Sequence, residues 1–139
     1  MKRLLVVVAV LLVAAVITIV STMRYIGSGR SGDAIQQSMS ILRACEAYRD
    51  NPNNPEAGKR FPTTLADLVK PPFGGSSFLR SGEADLLDPW GHSYRYAVVT
   101  SASGEQEAYV WAERIADGKL KLLGAKRCAD GEVRIFGLE

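Results

Sequence analysis

From Leu4 to Val20 every residue except Thr18 is apolar, so this run has no polar face at any period. Such a stretch suits lipid, where a helix satisfies its own backbone groups and every face meets hydrocarbon. Leu4 to Met23 is 20 residues, and at about 1.5 Å per residue that crosses a hydrocarbon core of about 30 Å. A secretory signal has a shorter apolar region, about 7–15 residues, and ends at a small-x-small site. Ser21-Thr22-Met23-Arg24 is a poor match to that pattern. Residues 1–26 are therefore expected to be an uncleaved, single-pass membrane anchor. The composition then changes. Gly27-Ser28-Gly29-Arg30-Ser31-Gly32 holds three glycines in six residues, each weakening a helix by about 1 kcal/mol relative to Ala, and residues 27–32 are expected to form a hinge.

Beyond the hinge the periodicity becomes amphipathic. Ile35, Met39, Leu42, Cys45 and Tyr48 recur every three or four residues, with Gln36, Arg43, Glu46 and Asp50 mostly elsewhere. The spacing predicts a helix from Asp33 to Arg49, capped by Asp33 with Gln36 three residues on. Asn51-Pro52-Asn53-Asn54-Pro55 ends it. Thr64 and Asp67 have capping-box spacing before a short helix with Leu65, Leu68 and Val69 on one side, stopped by Pro71-Pro72. Phe73 to Glu83 reads as loop. Asp88-Pro89-Trp90-Gly91 is a turn by mechanism: Asp bonds onward N–H groups, Pro presets φ, and Gly relieves the exit. Alternation then predicts a strand through Tyr94, Tyr96 and Val98, and further strands over Ala108–Ile115, Lys119–Leu123 and Val133–Phe136. Asp117-Gly118 and Asp130-Gly131 are hairpin turns. The fold expected for residues 33–139 is α+β, with the amphipathic helix packed on a small antiparallel β-meander.

Charge divides at the same place. Lys2, Arg3, Arg24 and Arg30 precede Asp33 with no acid among them, which leaves 13 of the 17 Lys and Arg against all 15 Asp and Glu. A domain of that balance argues against nucleic-acid binding, which needs clustered bases. The N-terminal amine, Lys2 and Arg3 outweigh Arg24 and Arg30, which favours an N-terminus inside and a C-terminal domain outside. Cys45 and Cys128 match no metal or redox spacing and leave two readings open: a disulfide in an oxidising compartment, or two buried thiols. His92, the one histidine, has no nucleophile motif beside it and reads as a polar turn residue. Glu83, Asp85 and Asp88 read as loop charges plus a turn former. Trp90 and Tyr96 read as core, while Tyr94, Tyr109 and Trp111 stay open between packing and a partner platform. No phosphate loop, zinc spacing or catalytic triad occurs, so the chain is not expected to be an enzyme or to carry a cofactor.

The order of a hydrophobic N-terminal helix, an amphipathic helix, Phe61-Pro62-Thr63-Thr64, a short helix, then Asp88-Pro89-Trp90-Gly91 with Tyr94 and Tyr96 opening a meander resembles the major pseudopilin of type II secretion systems, and type IV pilin-like proteins more widely. The match runs from about Ile35 to Val99. The resemblance implies a pilin-like fold, an inner-membrane location with a periplasmic domain, and partners among membrane lipid, other pilin-like or secretion-system subunits, and copies of itself. Three features depart from the family. Met1-Lys2-Arg3 runs into Leu4 without the leader glycine, no acid stands where the family keeps a Glu near the start of the mature helix, and the acidic calcium loop is missing. Calcium takes about six or more oxygen ligands, whereas Asp117 and Asp130 stand alone and each precedes Gly, so calcium is not expected. The first two departures suit a tethered module that keeps the fold and does not polymerise.

Overall fold

The computed structural model describes the backbone of residues 2–58 and 60–137, and side-chain environments for these except residues 2–12 and 20–28. The first element, α1, is a single α-helix of 49 residues, Lys2–Asp50. Residues 27–32, expected as a hinge, are helical, and Asp33 lies inside the helix instead of capping a new one. Three glycines weaken propagation, but an existing helix gains one hydrogen bond for each residue it adds and needs no new nucleus. The chain divides into two compact units, residues 1–32 and 33–139.

In the first unit Val13, Val16, Ile17 and Ile19 are exposed, and the Thr18 hydroxyl donates to the Ala14 carbonyl at 2.9 Å. That back-bond satisfies the one polar side chain of the apolar run. Among the described residues no helix is long and apolar enough to cross a membrane. The side chains of residues 1–12 and 20–26, most of the expected anchor, lie outside the described residues.

In the second unit α1 buries a broad stripe: Ala34, Ile35, Ser38, Ile41, Leu42, Ala44, Cys45 and Tyr48. Its end is closed by side-chain chemistry, since buried Asn54 donates Nδ2 to the Tyr48 carbonyl at 3.1 Å. A short helix α2 (Ala66–Val69) follows, and Pro71 comes directly after its C-cap Lys70. A 3₁₀ helix, Gly82–Leu86, then begins at the end of the segment expected as loop, Phe73 to Glu83. Four strands follow, β1 (Arg95–Thr100), β2 (Gln106–Ala116), β3 (Lys119–Arg127) and β4 (Val133–Phe136). They form one antiparallel sheet in the order β1-β2-β3-β4. The expected α+β meander is present, with β2 and β3 longer than the alternation suggested.

The sheet turns Ala108, Val110, Ala112 and Ala125 into the core, all with no exposed surface. Three alanines among these four leave room above the sheet for the larger Ile41, Leu42 and Leu68 in the same core cluster. Tyr48, Phe73 and Phe78 close one flank as tilted and edge-on rings with centroids 5.0–6.2 Å apart, a favoured geometry for aromatic groups. At the β2–β3 turn Asp117 and Gly118 have φ of 53° and 71°. Two successive positive values are what a two-residue primed turn requires.

Candidate functional site

The two motifs singled out in the sequence meet in the folded domain. The Asp88 carboxylate is buried, and its Oδ1 accepts the N–H groups of Trp90 at 2.9 Å and His92 at 2.8 Å. The Asp88 N–H in turn donates to the His92 carbonyl at 2.7 Å. Gly91 takes φ +86°, which glycine adopts without steric cost. The turn therefore closes on its own aspartate. It delivers Tyr94 and Tyr96 in defined directions. The Tyr94 hydroxyl lies 3.0 Å from the Ala34 carbonyl and 2.7 Å from Gln37 Oε1 on α1. The Tyr96 hydroxyl donates to the Pro62 carbonyl at 2.8 Å, linking the second motif to the first.

Phe61 is buried, and its N–H donates to Gln106 Oε1 at 3.0 Å. The guanidinium groups of Arg49 and Arg127 lie over its ring, 4.9 and 5.5 Å from the centroid. Arg127 is also paired with Glu46 on α1. Pro62 is fully buried, while Thr63 and Thr64 are exposed. The Thr64 N–H donates to Asp67 at 3.0 Å, which is the carboxylate half of the expected capping box. The helix proper begins later, with Leu65 at the cap position. Trp90 is half-buried against the core, with the Arg114 guanidinium 5.2 Å from its ring centre. Gln106, Arg49 and Arg127 carried no sequence signal, because each is recruited from an element far along the chain.

Burial controls the acid–base state of this cluster. Cys45 is a buried free thiol, pushed up to about 12 chiefly by burial. The Tyr94 and Tyr96 phenols are raised as well, first by burial, then by Asp88 for Tyr94 and by Cys45 for Tyr96. Cys128 is likewise a buried free thiol, so of the two cysteine readings the structure has the unbridged one. A thiol held neutral by burial is a poor nucleophile. Folded-state values above the unfolded ones mean that the native state holds these protons more tightly. The stability they contribute is then complete below about pH 8.5–10, where the unfolded thiol and phenols titrate, and is lost as pH rises towards the folded values. We expect the melting temperature to be level near neutral pH and to fall steadily above about pH 9. Replacing Tyr94 and Tyr96 together by Phe should flatten that alkaline slope in a thermal scan, and an identical slope in the double variant would remove this explanation.

The Asp88 Oδ2 atom is buried without a hydrogen-bond partner, and Nδ1 of the exposed His92 is 3.8 Å away. That separation is too long for a hydrogen bond. Among the described residues no group of three or more His, Cys, Asp or Glu side chains is placed to hold a metal ion. Asp130 bonds the Glu132 N–H at 2.9 Å, and Asp117 sits in the hairpin turn, so both act in local turns. Two open grooves flank the site. One, of about 630 Å³, lies between Arg60–Thr63 and the edge of β1. The other, of about 680 Å³, lies between the Trp90 turn and the β2–β3 hairpin. The arrangement uses its polar groups to hold two motifs and a helix together. Comparison with known protein families, with curated proteins and with solved structures finds no match.

Proposed function

We propose that this chain is a pseudopilin-like structural subunit or accessory protein of a type II secretion or type IV pilus-like system. Residues 1–26 would hold it in the inner membrane, and residues 33–139 would stand in the periplasm. It would work by packing and presentation, without catalysis or a cofactor. The observation that carries this reading is the combination of one 49-residue helix beginning in an apolar run with a meander that clasps its last third. The clasp uses the two motifs on which the resemblance rests, through Tyr94 on Ala34 and Tyr96 on Pro62. The exposed Val13, Val16, Ile17 and Ile19 supply an apolar surface for lipid or for neighbouring helices.

One observation favours a second reading, a membrane-tethered module that does not polymerise: the first turn of α1 contains no acidic residue. Filament assembly in the family uses a carboxylate there against a neighbour's amine. A photo-cross-linker at Val16 or Ile17, activated in intact cells, separates the two. A subunit should give a ladder of multiples of its own mass or defined adducts with pilin-like partners. A tethered module should stay monomeric in membranes, and recovery in the soluble fraction would count against both.

A further inference from the structure

The two edges of the sheet are guarded unequally. β4 is four residues long and carries Arg134, whose guanidinium reaches Glu132 at 2.9 Å. A short strand bearing a charge is a common way to blunt an edge. β1 is six residues long, and its central Tyr96-Ala97-Val98-Val99 has no charge, proline or glycine. Which of its main-chain groups are open follows from the register. The Ser101 N–H donates to the Glu105 carbonyl at 2.8 Å, one step beyond the Thr100–Gln106 pair. Alternate residues of an antiparallel strand aim their N–H and C=O groups to the same side. Ala97 and Val99 therefore face β2, while Tyr96, Val98 and Thr100 aim away from it. The Tyr94 N–H, on that outer side too, donates to the Leu86 carbonyl at 3.0 Å. Among the described residues no backbone bond from another segment reaches Tyr96, Val98 or Thr100 on this side.

The open edge borders the groove of about 630 Å³, whose far wall is residues 60–63. That wall is fixed at two points, by the Tyr96 hydroxyl on the Pro62 carbonyl at 2.8 Å and by the Phe61 N–H on Gln106 Oε1 at 3.0 Å. The groove thus combines a row of main-chain donors and acceptors with a preformed wall. Its charges are already committed: Arg60 pairs with Glu56 at 3.2 Å, and Arg95, at the start of β1, with Glu113 at 3.4 Å. A charge brought in would lose water without gaining a partner. Another extended main chain repeats donors and acceptors at the pitch this edge presents, about 6.6 Å for every second residue. A second copy would bring its own wall of residues 60–63 to the contact, whereas one free strand fits between edge and wall.

We infer that the open edge of β1 binds an extended, uncharged segment of a partner protein as an added antiparallel strand. The main chain of Tyr96, Val98 and Thr100 supplies the pairing, and every second side chain of the segment faces the Phe61–Pro62 wall. Main-chain bonds give such strand addition its affinity, and the pockets for alternate side chains give its specificity. Antiparallel pairing continues the sheet as it stands. The inference goes beyond the function proposed above and holds with or without the membrane anchor.

The probe is the acetylated and amidated pentapeptide Val-Thr-Val-Thr-Val, titrated into isotope-labelled full chain in detergent micelles. With its central valine opposite Val98, the valines face the wall and the threonines face outward. Binding should shift the Tyr96, Val98 and Thr100 amide signals. The Val98 amide should exchange about fivefold more slowly once free peptide stands at about four times its Kd. N-methylation of the central valine removes a donor aimed at β1 and should abolish binding, while N-methylation of the second residue, whose N–H aims to solvent, should leave it intact. Val98→Pro removes a donor that β2 does not use, so the sheet should survive and binding should be lost. If that variant fails to fold, the two N-methylated peptides still decide. Absence of shifts with about 1 mM peptide present would overturn the proposal, as would equal binding by both N-methylated peptides. Protection of the same three amides that rises with protein concentration, without peptide, would assign the edge to a second copy and also overturn it.

Discussion

Gly124→Val is expected to destabilise the domain by more than about 3 kcal/mol, and its urea midpoint should drop accordingly. Gly124 is buried in the middle of β3, opposite Trp111 on β2 and Phe136 on β4. A Cβ at this position would lie 2.2 Å from the Val110 carbonyl oxygen and 2.7 Å from both Cα and Cβ of Trp111. These atoms belong to the neighbouring strand, so no side-chain rotation relieves the overlap. The β2–β3 ladder itself would have to part. Ordinary overpacking of a core costs about 1–3 kcal/mol because side chains share the strain. Here the sheet backbone takes it, and a branched side chain adds to it. The expected signature is loss of cooperative unfolding or a large fall in the midpoint with the same slope. Gly124→Ala should already be clearly destabilised. An alanine variant within about 0.5 kcal/mol of the parent, the range of ordinary surface substitutions, would mean that the strands separate freely at this point.

Phe61→Ala should cost about 3–5 kcal/mol, the usual range for a buried phenylalanine. Its ring is 6% exposed and belongs to the main core. It also supports two guanidinium groups, at 4.9 and 5.5 Å, contacts worth about 0.5–2 kcal/mol each depending on their exposure. Truncation opens a cavity and removes the surface that orients Arg127 towards Glu46. Phe61→Leu restores most of the apolar volume but has no π face. Comparing the two variants by chemical denaturation separates packing from the cation–π share. Leu should recover all but about 1–2 kcal/mol. If Phe61→Leu is as damaging as Phe61→Ala, the aromatic contacts outweigh burial, and if Phe61→Ala is nearly neutral, the first motif does not hold the domain together.

Much of the fold was legible because its signals are local. The 3–4 residue spacing of Ile35, Leu42, Cys45 and Tyr48 placed the buried face of α1, although Ala34, Ser38, Ile41 and Ala44 widen it. Asp88-Pro89-Trp90-Gly91 announced a turn that does close on the Asp88 carboxylate. Asp117-Gly118 announced a hairpin that forms. The new helix start at Asp33 was misread because glycine propensity is a per-residue preference, and a helix in progress overrides it across residues 27–32. The 3₁₀ helix at Gly82–Leu86 was missed because its five residues are too few to show a period.

The sequence by itself determined the apolar run of Leu4–Val20, the order of helix and strands, and the turns between them. Each of these depends on residues adjacent in the chain, where propensity and periodicity act directly. Only the tertiary structure decided that Tyr96 would join the Pro62 motif, that Phe61 would carry Arg49 and Arg127, and that Gly124 must have no side chain. It also decided that Ile115 and Leu120 would stand exposed as a cross-strand pair. Those relations join residues up to 80 or so positions apart, as Glu46 and Arg127 are. They exist only once strand register and helix packing bring the groups within hydrogen-bonding or van der Waals reach.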